Sequence, residues 1–441
     1  MRMAGWREGT GIVSESQDLR ARLTAAIDAI PIVDTHEHIP DESVILNRES
    51  SFFDFFEHYV SSDLVSAGLP RAVLETMRDR SNNLSLKGRW NILAPYWPYV
   101  RVTGYGLAMR EYMRDLFGVD DVTEDTLLDL CERIRRAHQP GWYRTVLKDK
   151  ARIVTALVTR WPGQHVKVDR EFFRAVPILD HFATPTTRAD ITALESESGC
   201  SIHSLEDLAR GMETRLVQFV KDGIVAIKVF LAYSRTLQFD RVTGVEASRS
   251  FTRLFLSEPG FLTFADRKPM QDHMVRRLLG LAKDHNLPVQ VHTGLQEGNG
   301  NFLEHSKPTL LTNLFMEFPG VRFDLFHAGY PFTGEVAVLA KGFPNVFADL
   351  CWVHAMSPRV AARTLGDWLE LIPANKVLAA GGDSNYVEGA YGHCKIARRI
   401  AVQVLADKVE SGDLSEDEAV WLGQQVLRAN AVHLFALNDL N

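Results

Sequence analysis

Eight short apolar segments recur along the chain, and sequence with helical periodicity separates most of them. The candidate strands are residues 31–35, 151–158, 173–179, 224–230, 288–292, 321–326, 345–350 and 376–380. Apolar residues at helical spacing run through 204–221, 269–285, 307–318, 333–342 and 357–371. This repeated alternation predicts an α/β fold, a (β/α)8 TIM barrel. The alternative is an open doubly wound sheet, but no Gly-x-Gly-x-x-Gly follows any candidate strand, so its dinucleotide-binding version has no support.

The alternation breaks once, between residues 40 and 150, where helical patterns run through 52–59, 71–80, 107–117 and 126–137. Such a connection is far longer than a usual βα loop. Loops of this kind lie at the carboxyl ends of barrel strands, where active sites form, so we expect the insertion to roof the site. The alternative is a helical appendage used for oligomer contacts. We therefore divide the chain into an N-terminal segment with strand 1 (1–39), the helical insertion (40–150) and the remainder of the barrel (151–441).

Composition indicates which binding partners and which cellular compartment to expect for this protein. The net charge of −7 gives no reason to expect binding to nucleic acid or to an anionic membrane. The four cysteines are scattered, which argues against a disulfide framework or a thiolate zinc site. Residues 1–8 lack the apolar core of a signal peptide, and no stretch approaches the roughly 18 apolar residues of a membrane span. We expect a cytoplasmic protein that takes a small-molecule substrate, has no nucleic-acid or membrane partner and forms a homo-oligomer.

Two histidines follow the first candidate strand at spacing i, i+2. His36 and His38 lie in Ile32-Val33-Asp34-Thr35-His36-Glu37-His38. On a strand or just past its end, that spacing places both imidazoles on the same side. Two such imidazoles suit a divalent transition metal. The alternative is two polar residues in a surface turn.

Further candidate ligands stand at the other strand ends. His292 ends strand 5, His327 ends strand 6, Asp383 follows strand 8 and Lys228 lies within strand 4. The carboxyl ends of barrel strands meet at one face, so these residues and the histidine pair together predict a metal centre there. Candidate substrate-binding residues follow strands 2, 4 and 7: Arg160, Tyr233, Arg235, Trp352 and His354. Either arginine would bind a substrate carboxylate in bidentate fashion or pair with a nearby acid.

With these residues the chain resembles the amidohydrolase superfamily of metal-dependent barrels. The resemblance runs from Asp34-Thr35-His36-Glu37-His38 through Gly382-Asp383 to Asn430-Ala431-Val432-His433-Leu434-Phe435. The branch it is most similar to is the amidohydrolase-2 group, and within that the uronate isomerase-like proteins. Phe53-Asp54-Phe55-Phe56-Glu57-His58-Tyr59 and residues 105–117 carry this narrower likeness.

The resemblance implies a set of ligands. His36, His38 and Asp383 would hold the metal, usually zinc, with other divalent ions possible. His292 would be a further ligand or a close polar contact, and His327 would bind a second metal or touch the substrate. Lys228 would be a carboxylated bridge between two metals, a substrate contact or a member of a structural ion pair. One or two divalent ions are therefore expected.

The chain departs from this branch at one point. Uronate isomerases continue after the strand-8 aspartate with Ser-Arg-Ser, whereas this chain reads Asp383-Ser384-Asn385-Tyr386. The arginine that would suit a uronate carboxylate is therefore missing.

We accordingly predict a metal-dependent hydrolase acting on a small amide, lactone or related carboxylic derivative through a metal-activated water. Asp383 would move the water proton, and His292 or His327 would polarise the scissile carbonyl. The alternative is a uronate isomerase-like aldose–ketose isomerase of sugar acids, in which Asp383 or a tyrosine (Tyr59, Tyr233 or Tyr391) moves a proton between carbons. A metal-dependent decarboxylase on the same ligands and a non-catalytic binding protein are the further alternatives.

Overall fold

Eight parallel strands form the centre of the fold in the computed structural model, which describes residues 10–258 and 260–440. All eight lie within two or three residues of the predicted segments. They are β1 Ile32–Glu37, β2 Ile153–Arg160, β3 Phe173–Pro177, β4 Ile227–Val229, β5 Val289–His292, β6 Phe323–Phe326, β7 Val346–Asp349 and β8 Val377–Leu378. Nearly every strand residue is buried, as expected when a parallel sheet is covered on both faces.

Backbone hydrogen bonds close these strands into a ring. Strands β1 to β3 pair in order, and so do β4 to β8. A bridge between Ile178 and Lys228 joins β3 to β4. On the other side, Thr35 N donates to Ala380 O at 2.9 Å, which joins β1 to the end of β8. The predicted (β/α)8 barrel is therefore confirmed.

Helices surround the barrel. Their bounds are α1 Thr10–Ala29 before β1, α9 Arg188–Ser198 and α10 Leu205–Lys221 after β3, α11 Gly244–Leu256 and α12 Phe264–Asp284 after β4, α13 Thr312–Glu317 after β5, α14 Thr333–Gly342 after β6, α15 Val353–Met356 and α16 Pro358–Leu371 after β7, and α17 Val387–Glu410, α18 Glu416–Gln424 and α19 Asn430–Leu434 after β8. The pattern predicted as a helix over 307–318 begins instead as a 3-10 turn, Pro308–Leu311. No helix within the described ranges is long and apolar enough to cross a bilayer.

The segment between β1 and β2 consists of helices and turns. Its α-helices are α2 Glu42–Leu46, α3 Tyr59–Ser66, α4 Arg71–Arg78, α5 Leu86–Leu93, α6 Trp97–Val100, α7 Gly104–Phe117 and α8 Leu127–Ala137. The aromatic residues Phe52, Phe56 and Trp97 pack edge to face and belong to the same apolar core as the barrel. The division of the chain at residues 40 and 150 stays a prediction, and residues 1–9, 259 and 441 lie outside the described part.

One predicted helix of the insertion is interrupted. The pattern over 52–59 predicts continuous helix, but a 3-10 turn ends at Phe55 and α3 begins only at Tyr59. Between them His58 has a positive φ of 58°, a conformation that a non-glycine residue seldom adopts. The prediction of a single helix is wrong here, because the chain turns sharply at His58.

Candidate metal centre

Three of the predicted ligands converge at the carboxyl end of the barrel. His36 lies on β1, His38 directly follows it, and Asp383 follows β8. Asp383 Oδ1 is 3.2 Å from His36 Nε2 and 3.3 Å from His38 Nε2. One donor atom from each residue falls within 4.8 Å of the others. The i, i+2 spacing thus brings both imidazoles to the same carboxylate.

Two buried acids of β1 hold the loop that carries Asp383. Asp34 Oδ1 accepts hydrogen bonds from His36 N at 3.1 Å and from Gly382 N at 3.2 Å. Glu37 Oε2 accepts one from Ser384 N at 2.5 Å. Burial raises the pKa of Asp34 to about 6 and that of Glu37 well above its ordinary value. Hydrogen bonds therefore hold the loop on both sides of Asp383, at Gly382 and at Ser384.

The same loop needs glycine at position 382, because the backbone passes directly over Glu37. A Cβ on Gly382 would lie 2.0 Å from Glu37 Oε1, far inside van der Waals contact. Asp383 itself has a positive φ of 56°. A non-glycine residue in this conformation is strained, and such strain often occurs at functional sites.

The protonation states suit a metal. Burial lowers the pKa of His36 well below its ordinary value and that of His38 to about 4, so both imidazoles are neutral near pH 7. Burial alone would raise the pKa of Asp383, but the neighbouring histidines outweigh it and hold this pKa well below the usual range. Two neutral imidazoles and one carboxylate form a donor set that a divalent transition metal accepts. The residues present therefore fit the predicted metal.

Lys228 lies beside this cluster. Its Nζ is 3.1 Å from His36 Nε2, and its side chain is buried between the rings of Phe230 and Phe326. Burial lowers the pKa of Lys228 to about 8. Within the described ranges it forms no ion pair, so the interpretation as part of a structural ion pair does not hold. The carbamate bridge stays a prediction.

His292 and His327 form a second pair of imidazoles next to the ligands. Their ring centroids are 4.5 Å apart. His292 Nε2 donates to Leu295 O at 3.1 Å, whereas His327 Nε2 is 3.8 Å from Asp383 Oδ2. Both line the cavity above the cluster, but neither belongs to the group of donors within 4.8 Å. Their predicted roles as a ligand and as catalytic residues stay predictions.

A cavity of about 250 Å³ opens above the cluster. This is below the range of about 300–1,000 Å³ typical of pockets for drug-sized ligands, so it suits a small substrate. Its wall combines residues from strand ends with residues from the insertion: His38, Glu57, His58, Arg78, Trp161, Lys228, Phe230, Tyr233, His292, Glu297, His327, Asp383 and Asn385.

The structure brings only one of the five predicted substrate-binding residues to this wall. Tyr233 lines the cavity, and its hydroxyl accepts a hydrogen bond from Glu297 N at 3.0 Å. Arg160 instead pairs with Asp41 at 3.2 Å.

The other three lie outside the cavity wall. Arg235 is buried in an ion pair with Asp272 at 2.6 Å. Trp352 packs against Tyr59 at 4.5 Å and against His327 at 5.4 Å. His354 is 1% exposed, and its nitrogens have no hydrogen-bond partner among the described residues.

Sequence reasoning missed three residues that the insertion contributes to the cavity: Glu57, His58 and Arg78. His58 Nε2 lies 3.8 Å from Asp383 Oδ1. His58 lies in the Phe53–Tyr59 stretch that carries the likeness to uronate isomerase-like proteins, so the sequence contains a weak indication that it belongs to the site. Arg78, at the end of α4, carried no signal, because its position follows only from how the insertion docks on the barrel.

Comparisons with known proteins agree with this architecture. The family model described as Amidohydrolase matches residues 242–409. The protein fluG of Emericella nidulans is 29% identical over 244 residues, which are 53% of this chain; the match spans only 28% of fluG.

Two further relatives match over nearly the whole chain. A uronate isomerase of Nostoc punctiforme is 23% identical over 447 aligned residues, covering 93% of this chain and 92% of that protein. The crystal structure of glucuronate isomerase from Caulobacter crescentus superposes with a TM-score of 0.78 at 17% identity, covering 98% of this chain and 97% of the other. At that identity the structural likeness shows the fold alone. The resemblance to the uronate isomerase-like branch is confirmed.

Proposed function

We propose that this chain, which is similar to proteins of the amidohydrolase superfamily, is a metal-dependent aldose–ketose isomerase that acts on a small sugar acid. The observation that carries the proposal is the His36–His38–Asp383 cluster at the base of a small, polar cavity. The near full-length similarity to a uronate isomerase supports it. Our prediction of a hydrolase has less support, because the curated relative that matches over 93% of this chain is named an isomerase.

A single divalent ion, zinc or another transition metal, would be held by His36, His38 and Asp383. When bound, it would hold adjacent oxygen atoms of the substrate and stabilise negative charge that develops on them.

Proton transfer between neighbouring carbons needs a base on the cavity wall, and His58 with Asp383 supplies the candidate pair. Asp383 is ionised and His58 Nε2 lies 3.8 Å from its Oδ1. Both side chains face the cavity. One of these two side chains can therefore accept a proton from the substrate, and the other lies next to it as a hydrogen-bond partner.

The tyrosines are better suited to donate hydrogen bonds than to act as bases. Burial raises the pKa of Tyr59 and of Tyr233 above the ordinary value, so both hydroxyls stay protonated. Tyr233 is placed to orient a substrate oxygen, because it lines the cavity. Tyr391 donates to Asp115 at 2.8 Å and is not on the cavity wall.

Hydrolysis is the second candidate function. It is favoured by Asn385, which lines the cavity in the segment where uronate isomerases would carry an arginine. A site without that arginine loses a reason to prefer uronates, so a neutral lactone or amide becomes a reasonable substrate.

A substrate panel separates the two functions. We expect metal-loaded protein to convert a hexuronate to a ketose, detected by NMR, and chelation to abolish the reaction until metal is restored. Hydrolysis of a lactone or amide in labelled water would instead place one labelled oxygen in a new carboxylate. Turnover of lactones or amides without any ketose from hexuronates would refute the isomerase proposal.

A further inference from the structure

Among the described residues, Arg78 is the only arginine on the wall of the metal cavity. It is the last residue of α4, so the charge enters from the insertion and not from a barrel strand. Its side chain is 35% exposed. A guanidinium in this position is accessible to a ligand in the cavity.

The donors of Arg78 are largely unused. Its Nη2 lies 3.5 Å from Glu57 Oε1, and within the described ranges its guanidinium makes no side-chain hydrogen bond. Both members of this pair are about one-third exposed, and ion pairs of that kind are weak. The pair can therefore open for a ligand at little cost.

Arg160 and Arg235, the two arginines predicted from the strand ends, differ from Arg78 because neighbouring side chains already occupy their hydrogen-bond donors. Arg235 is buried and donates to Asp272 at 2.6 Å and to Gln271 at 3.1 Å. Arg160 donates to Asp41 at 3.2 Å. Both guanidinium groups are engaged by neighbouring acids and lie off the cavity wall, so neither is placed to bind a substrate anion there.

We propose that Arg78 binds the carboxylate of the substrate, so that the insertion selects for acidic sugars in a chain that has Asn385 after the strand-8 aspartate. This inference rests on the proposed function. A guanidinium presents two parallel N–H groups that match a carboxylate, which is why arginine is preferred for this contact. Glu57 occupies the guanidinium while the cavity lacks a substrate and is displaced from it by the incoming carboxylate.

A pair of probes that differ only in charge tests the proposal. D-glucuronate and its neutral amide, D-glucuronamide, are titrated into metal-loaded protein by calorimetry, and turnover of each is followed separately. We expect the wild type to bind the acid more tightly than the amide, and Arg78→Gln to remove that difference by weakening acid binding roughly 10- to 100-fold. Arg78→Lys should recover part of the loss.

Two further variants separate substrate binding from a structural role of the ion pair. Glu57→Gln frees the guanidinium, so acid binding should tighten or stay equal. Arg71→Gln removes a charge from the same helix outside the cavity and should leave the preference unchanged. Thermal melting checks that each variant is folded.

The outcomes are distinct. The inference is overturned if the wild type binds neither probe or shows no preference for the acid. It is overturned too if Arg78→Gln keeps the preference, or if Glu57→Gln weakens acid binding as much as Arg78→Gln does. If the preference depends on Arg78 but no ketose forms, the proposed isomerase function is wrong and the assignment of Arg78 stands.

Discussion

The substitution Gly382→Ala tests how tightly the ligand loop is fixed. The new Cβ would lie 2.0 Å from Glu37 Oε1, whereas real Cβ contacts stay beyond 3.0 Å, so something must move by about 1 Å. Glu37 is fully buried and its other oxygen holds Ser384 N, so moving either partner disturbs the loop on one side of Asp383.

The size of the effect follows from metal geometry. Ligand distances are held to about 0.2 Å in good sites, so a displacement of about 1 Å next to a ligand exceeds the tolerance. Loss of supporting contacts typically costs about 10- to 100-fold in metal affinity. We expect Gly382→Ala to weaken zinc binding by at least that factor, which is about 1.4–2.7 kcal/mol.

Competition with a chromophoric chelator measures the affinity. Gly280→Ala is the matched control, because a Cβ there meets nothing within 4 Å. The double variant Gly382→Ala/Glu37→Ala removes the clash and should recover part of the lost affinity. Wild-type zinc affinity in Gly382→Ala would refute the reasoning that the loop is fixed by this contact.

Three further predictions concern buried charges. Arg235→Met should lower the free energy of unfolding by about 2 kcal/mol in urea titrations, because Asp272 loses a charge-assisted hydrogen bond and keeps Lys268 as its remaining cationic partner, with KM unchanged; a raised KM at full stability would contradict this. Burial lowers the folded-state pKa of His354 to about 3, below the ordinary value of about 6.5, so stability falls as the pH drops below about 6.5. His354→Gln should therefore recover about 2 kcal/mol of the loss between pH 7.5 and 5 in the metal-free protein, and an unchanged loss would contradict the assignment. Mass spectrometry should find one divalent ion per chain, because within the described ranges only His36, His38 and Asp383 bring donor atoms within 4.8 Å of one another; two ions would favour the carbamate.

The barrel was predictable from local pattern. Parallel strands covered on both faces must be short and apolar, and this alone located all eight strands. The clustering of His36, His38 and Asp383 was predictable as well, because barrel topology forces the carboxyl ends of the first and last strands together. His36 and Asp383 could be paired for that reason, although 347 positions separate them.

The rest of the site depends on contacts that no local pattern contains. Arg235 binds Asp272, 37 positions away on α12, and without that partner it could not be told from a substrate-binding arginine. Arg78 reaches the cavity only because the insertion docks in one particular orientation. At His58 the apolar periodicity predicts helix, whereas the backbone adopts a positive φ.

The backbone bonds between β1 and the end of β8 have a consequence for folding. His36, His38 and Asp383 come from the two strands that meet when the ring closes, so the proposed metal centre is complete only after closure. The free energy of metal binding then stabilises only the closed ring. An ion present at 100 times its Kd would add about 2.7 kcal/mol to the stability of the folded protein. Metal should accordingly slow the opening of the seam between the first and last strands, and amide hydrogen exchange at Thr35 and Asp383 would report that protection.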